Sequence, residues 1–296
     1  MAARVLPQPS VTLASGSRMP LIGMGTWELS AHSMVAAAGR LGYRHFDCAY
    51  VYQNQKEIGP YLKEVVDSAG RENVFVTSKV WRSQYRPEAA LESIRGSVRD
   101  LQVGYLDLVL IHWPESLKPG EAIDGAFDDV SLLDTWKAFE QAHDEGLVKN
   151  LGVSNFSLDQ IVEIYEHARI KPVVNQVELH PFLAQTELVE QSKKRFGVTT
   201  VAYSPIGRGK VLDDPVIKAV AEEAKATPAQ VALRWNIQRG VPVIPKASSE
   251  KRLEENLETL DLELTPDQIA RIDALDSWRR FVKPSWHDFK DPVQKA

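Results

Sequence analysis

The chain has 296 residues, a formal charge of -5, 44% hydrophobic residues and 25% charged ones. That balance can bury a sizeable core, and the even spread of lysine and arginine argues against a broad nucleic-acid footprint. No apolar run reaches the roughly 20 residues that a membrane-spanning helix needs, and the lone Cys48 excludes an intramolecular disulfide or a cysteine-rich zinc site.

Met1 to Ser10 carries one arginine and two prolines but no apolar stretch of signal-peptide length, so a reducing cytoplasm is the expected compartment. VTLASGSRMP alternates about Ser15-Gly16 and predicts a hairpin at about residues 11–18 that caps the bottom of the fold. Short β-branched or aromatic runs follow at 21–24, 43–47, 73–79, 106–112, 150–154, 173–178, 198–203 and 241–245. Helical patterns fill most of the intervals, with start signals at Ser30, at Pro87, at Ser157 with Asp159 and Gln160, and at Thr227-Pro228. Strand then helix, eight times over, predicts the α/β class and a (β/α)8 TIM barrel. DPVIKAVAEEAKA and LTPDQIARIDAL are two helices beyond that repeat. No serine-glycine tract, proline-rich run or charge block interrupts the series, so residues 1–296 read as a single domain. Residues 114–130 form a long acidic loop on the rim, where long loops are usually functional.

Four residues stand at or just beyond the ends of three successive strands: Asp47 and Tyr52 in GYRHFDCAYVY, Lys79 in VFVTSKVW and His112 in LVLIHWP. In a barrel, chemistry collects at the C-terminal ends of strands. Tyrosine ionises near 10, so proton donation near neutral pH needs a neighbouring charge. Lys79 supplies one, Asp47 can hold that ammonium, and a neutral His112 can orient a carbonyl oxygen. Singly, each has an ordinary reading: a loop ion, a surface ring, a solvated lysine, a satisfied core histidine. Together they make a tuned acid. Cys48, beside them, reads as a small buried residue.

The motifs MPLIGMGTW, GYRHFDCAYVYQNQKEIG, VTSKVW, LIHWP, GLVKNLGVSNF, NQVELHP, AYSPIG and IPKASSEKRLEEN occur in this order. From Val11 to about Asp276 the chain resembles the aldo-keto reductase family. The resemblance implies an NADPH-dependent reductase of aldehydes and also ketones, of the aldehyde reductase or alcohol dehydrogenase type. Its tetrad would be Asp47, Tyr52, Lys79 and His112, with Tyr52 the general acid and hydride passing from nicotinamide C4. Relatives that reduce a steroid double bond carry glutamate at the position of His112, so this histidine points to carbonyls.

A dinucleotide fingerprint is missing, because Gly23 and Gly25 are followed by Glu28 where a third glycine belongs. A barrel binds phosphate instead through the loops after its last two strands. Here those loops carry Ser204, Pro205, Ile206 and Gly207 on one side and Lys246, Ala247, Ser248 and Arg252 on the other. Lys246 and Arg252 can grip a 2'-phosphate, which favours NADP over NAD. By resemblance, Ser154, Asn155 and Gln176 hold the carboxamide and Tyr203 stacks on the nicotinamide. Glu255 and Asn256 face the adenine, unless they are simply a polar helix face, and Gly25, Thr26, Trp27 and Asp47 complete the groove. Ala247 replaces a serine common in the family, and GRGKVLDD is a short loop, so faster cofactor exchange is expected than in relatives with a longer one. Trp27, Val51, Tyr52, Trp81, His112, Trp113 and Trp286 outline an apolar substrate cleft, covered by a C-terminal tail at about 277–296. No metal site, membrane or nucleic acid is expected, and the protein is expected to be a monomer. A cofactor-binding regulatory or structural member with little turnover is the alternative.

Overall fold

The computed structural model describes residues 8–29 and 31–289. Ser30, the predicted start of the first helix, lies outside the described residues, as do residues 1–7 and, at the end of the tail, 290–296. Strands β1 (Ser10–Thr12) and β2 (Arg18–Pro20) pair antiparallel with Val11 opposite Met19. Their turn closes through Leu13 N donating to Ser17 O at 2.9 Å and Gly16 N to Leu13 O at 2.9 Å. Gly16 sits at φ 89°, a left-handed conformation that a glycine enters without steric cost. Leu13 and Met19 point inward and pack with Phe75, Leu108, Leu110, Val174, Val201 and Ile244 in the inner cluster. The predicted hairpin is therefore a plug.

Seven parallel strands follow in sequence order around a ring: β3 (Met24–Gly25), β4 (His45–Asp47), β5 (Phe75–Val80), β6 (Leu106–Ile111), β7 (Val148–Ser154), β8 (Val174–Glu178) and β9 (Thr199–Tyr203). The predicted eighth strand, 241–245, forms no ladder. Pro242 and Pro245 have no N–H to give, so only a few bonds are possible. Those few close the ring. On one side Val243 N donates to Leu21 O at 2.9 Å and Gly23 N to Val243 O at 2.8 Å; on the other Ala202 N donates to Pro242 O at 2.8 Å. The first predicted run, 21–24, is shortened in the same way, with Ile22 pairing only with Val243.

Helices α1 (Met34–Leu41), α2 (Gln55–Ala69), α3 (Pro87–Leu101), α4 (Leu132–Asp144), α5 (Leu158–His167) and α6 (Thr186–Phe196) alternate with these strands. After β9 come α7 (Pro215–Ala224), α8 (Pro228–Gln238), α9 (Glu250–Glu258) and α10 (Pro266–Asp273). Strands such as LDLVLI in β6 are buried along their length because side chains fill the barrel on one face and helices cover the other. The predicted starts at Pro87, Ser157 and Thr227 are borne out, the last two as reciprocal capping boxes with Gln160 and Gln230. The two additional helices, α7 and α10, are present, and Trp235 of α8 pins α10 by donating Nε1 to Asp273 at 2.7 Å. Among the described residues no helix is long and apolar enough to cross a membrane.

Candidate active site

Parallel pairing sets Asp47 of β4 opposite Thr77, so Lys79 rises two residues higher on β5, and His112 leaves β6 one residue past its end. Tyr52 closes a single helical turn, Tyr50–Tyr52, that follows β4. Gln53 then turns left-handed at φ 53°, and the Asn54 side chain ties this turn to Thr26 O at 2.9 Å. The result is one rim with four functional groups. Lys79 and Asp47 are each only 1% exposed. Lys79 Nζ donates to Asp47 Oδ1 at 2.5 Å, to Cys48 O at 3.0 Å and to Tyr52 Oη at 3.2 Å, which uses all three of its donors.

The carboxamide candidates belong to the same network. Asp47 Oδ2 accepts Gln176 Nε2 at 2.8 Å, and Gln176 O accepts Ser154 Oγ at 2.7 Å. Asn155, left-handed at φ 65°, donates Nδ2 to His112 O at 2.9 Å and accepts Tyr203 Oη at 2.8 Å. A non-glycine residue held there costs energy, and such strain collects at working sites.

Burial by itself would strip the proton from Lys79, yet Asp47 and Tyr52 outweigh it and its pKa rises, so the ammonium persists. Tyr52 departs from the simple expectation of a lowered pKa. Burial of its hydroxyl pushes it up to about 12, and Lys79 opposes that rise without cancelling it. Its surface is half-buried, but the hydroxyl itself points inward onto Lys79. Burial, reinforced by the Lys79 charge, holds His112 well below the ordinary imidazole value, so it is neutral near pH 7. Its Nδ1 is buried with no hydrogen-bond partner.

Aromatic rings wall the rim. His112 lies edge-on to Tyr52 at 6.0 Å and to Trp81 at 5.1 Å, and Trp286 lies edge-on to Trp113 at 4.8 Å and Trp81 at 6.2 Å. Trp81 and Trp113 are buried, Val51 is half-buried, and Trp27 stands 42% exposed under the Arg208 guanidinium, 5.0 Å from its ring centre. Sequence reasoning missed Tyr85, whose hydroxyl donates to Trp113 O at 2.6 Å and accepts Trp113 N at 3.1 Å. It also missed Arg208, although GRGK marks a turn that exposes a cation. Arg82, Glu115 and His287 gave no signal at all, since what they touch is remote in sequence.

The cofactor candidates occupy two loop groups. Thr26 donates its amide and hydroxyl to Asp47 O at 3.1 and 2.8 Å. Gly25 lies against backbone, where a Cβ would come 2.8 Å from Ile244 O. Ser204, at φ 48°, begins a turn closed by Gly207 N donating to its carbonyl at 2.8 Å; Pro205 and Gly207 are buried and Ile206 half-buried. Lys246, Ser248 and Arg252 are exposed, Ala247 is buried, and Ser249 caps α9 by accepting Arg252 N. Glu255 is half-buried; Asn256 is buried beside Tyr43. Arg208, Lys246 and Arg252 enter no ion pair among the described residues; Arg208 lies over Trp27, the Lys246 backbone runs beside Gly25, and Arg252 is in the first turn of α9. Unpaired cations beside a helix N-terminus, with amide and hydroxyl side chains beside Tyr52, fit a cofactor that carries phosphate groups and a carboxamide. No cluster of metal-ligating side chains is found among the described residues.

The model of the Aldo/keto reductase family matches residues 21–277. Aldo-keto reductase family 1 member A1-A of Danio rerio is 40% identical over 314 residues, covering 96% of this chain and 97% of that protein. Aldo-keto reductase family 1 member A1 of Rattus norvegicus is 41% identical, covering 93% of this chain and 91% of its own. The solved aldose reductase of Schistosoma japonicum superposes with a TM-score of 0.87 at 39% identity, over 93% of this chain and 94% of that one.

Proposed function

Because the chain belongs to the aldo/keto reductase family, we propose that it reduces aldehydes, and also ketones, to alcohols with NADPH, and that Tyr52 gives the proton. The observation that carries this reading is the Lys79 ammonium, held by Asp47 and touching Tyr52 Oη at 3.2 Å, next to a neutral His112. When bound, the nicotinamide supplies hydride to the carbonyl carbon. The chain's own groups do the rest. A tyrosine near 12 keeps its proton at neutral pH and is thus always loaded. As negative charge grows on the substrate oxygen the proton transfers, and the phenolate left behind faces a fixed ammonium in a site of low dielectric. The neutral His112 ring, braced by Trp81, hydrogen-bonds the same oxygen without competing as the acid.

Ser154, Asn155 and Gln176 would hold the carboxamide, and Tyr203 would lie under the nicotinamide. Lys246 and Arg252 would take the 2'-phosphate and thereby prefer NADPH, with Ser204–Gly207 and Gly25–Trp27 lining the groove. Trp27, Val51, Trp81, Trp113 and Trp286 would enclose the substrate. The chain would act as one domain, a monomer in the cytoplasm. Loss of NADPH absorbance on addition of an aldehyde panel tests the activity. In Tyr52→Phe the rate should fall at least about 100-fold, the scale of general-acid catalysis, while NADPH affinity is retained. A variant that kept most of its rate would remove Tyr52 as the acid. Tight NADPH binding by the native protein with no turnover of any carbonyl would favour a regulatory subunit.

A further inference from the structure

Arg82 is fully buried and carries a permanent charge, which is costly unless the guanidinium is fully engaged. It follows Trp81 directly, and all of its partners come from two distant segments. Nε donates to Glu115 O at 2.9 Å, Nη1 to Ile123 O at 3.0 Å and Nη2 to Ser116 O at 3.5 Å, so it gathers the 114–130 loop. Its own carbonyl accepts Leu117 N at 3.1 Å. The face of the guanidinium lies 3.7 Å from the centre of the Trp286 ring, in the tail, and 5.6 Å from that of Phe127, in the loop. Loop and tail also join directly, through Glu115 Oε1 and His287 Nδ1 at 2.6 Å. The tail is anchored four residues upstream of Trp286. There the fully buried Glu178, at the end of β8, accepts Phe281 N at 2.7 Å and Val282 N at 2.9 Å.

We propose that Arg82 is a positioning residue for substrate selection: it binds the 114–130 loop and Trp286 into one wall, shaping a slot beside Tyr52 for carbonyl compounds that carry an aromatic group. The proposal rests on the reductase reading for the word carbonyl, but the wall itself is independent of turnover. Trp113 and Trp81 stand edge-on to Trp286 at 4.8 and 6.2 Å, and Trp81 in turn meets His112 beside Tyr52, so the tail joins one aromatic cluster that reaches the rim. A guanidinium has the planar fork for several carbonyls and the flat face for indole at the same time, and no other side chain has both.

The test compares the native protein, Arg82→Gln, Arg82→Lys and Trp286→Ala in two assays. Benzyl alcohol and propanol are titrated onto the NADP-loaded protein by tryptophan fluorescence, and kcat/KM is measured for benzaldehyde and propanal. The native protein should prefer the aromatic member in both. Arg82→Gln and Trp286→Ala should lose about tenfold of that preference, the worth of one good pocket contact, with the change in KM and with NADPH affinity held within about twofold. Arg82→Lys should lose less, because it keeps a cation over Trp286 but cannot reach three carbonyls. An unchanged aromatic preference in Arg82→Gln overturns the proposal. If that variant does not fold, an unchanged preference in Arg82→Lys overturns it. If the native protein reduces neither aldehyde, the reductase reading fails, and the benzyl alcohol titrations still decide the role of Arg82.

Discussion

Replacing Asp47 with Asn probes the centre of the site with almost no change of shape. Asp47 accepts from two donors at once, Lys79 Nζ on one oxygen and Gln176 Nε2 on the other. Asparagine has a single oxygen, so its NH2 must face one of those donors. Lys79 is then a buried ammonium without its counter-charge, and breaking such a pair costs about 3–5 kcal/mol. That is a large part of the roughly 5–15 kcal/mol by which domains are stable. The pH dependence separates this cause from simple misfit. In the native protein the folded pKa of Lys79 is raised, so its contribution is complete below about 10.5 and is lost as pH climbs through the folded value. Without Asp47, burial is the dominant influence on Lys79 and its folded pKa drops below that of the unfolded chain. Between the two values the unfolded chain binds more protons, so stability of the variant rises with pH. Urea unfolding at about pH 7 and about pH 9.5 measures both effects. The deficit should be about 3–5 kcal/mol at the lower pH and smaller at the higher. A loss under about 1 kcal/mol, or an equal loss at both pH values, would refute the reasoning.

His112 is held well below the ordinary imidazole range by burial and by Lys79, so the native protein should lose stability as pH falls below about 6.5. His112→Gln should lose less over the same interval in urea melts; His45, lowered to about 4 by burial, contributes equally to both proteins. Gly25→Ala would drive a methyl group to 2.8 Å from Ile244 O, where both sides are backbone and neither can yield. It should cost about 1–3 kcal/mol and lower Tm by about 2–5 °C; a Tm within about a degree of the native value would show that the ring closure there is looser than it looks.

The alternation of strand and helix, the plugging hairpin, the proline start at Pro87, the capped starts at Ser157 and Thr227 and the two additional helices were legible from periodicity and local turn chemistry. Those signals act over a few residues and survive in any context. The closing segment at 241–245 was legible as a buried apolar run, but its two prolines had to be set beside β9 and Leu21 before its sparse pairing could be understood. The four groups on the rim were found because each stands at or just past a strand end in a parallel barrel. Gln176, Ser154, Asn155 and Tyr203 were expected by resemblance as cofactor residues, but their hydrogen bonds to Asp47 and His112 were not legible, because ring closure and not spacing brings those groups together.

The amino-acid sequence by itself determined the barrel, the order of its parts and the strand-end positions of Asp47, Tyr52, Lys79 and His112, since hydrophobic period and strand-end position are properties of the chain. It did not determine which way the Tyr52 pKa moves. Burial of the hydroxyl wins over Lys79 at a distance of 3.2 Å, and desolvation depends on everything that surrounds a group. Arg82 also belongs to the tertiary structure alone. In sequence it is one more arginine after a strand. Only folding brings the 114–130 loop to its fork and Trp286 to its flat face, because a buried charge is held by partners that the chain supplies from far away.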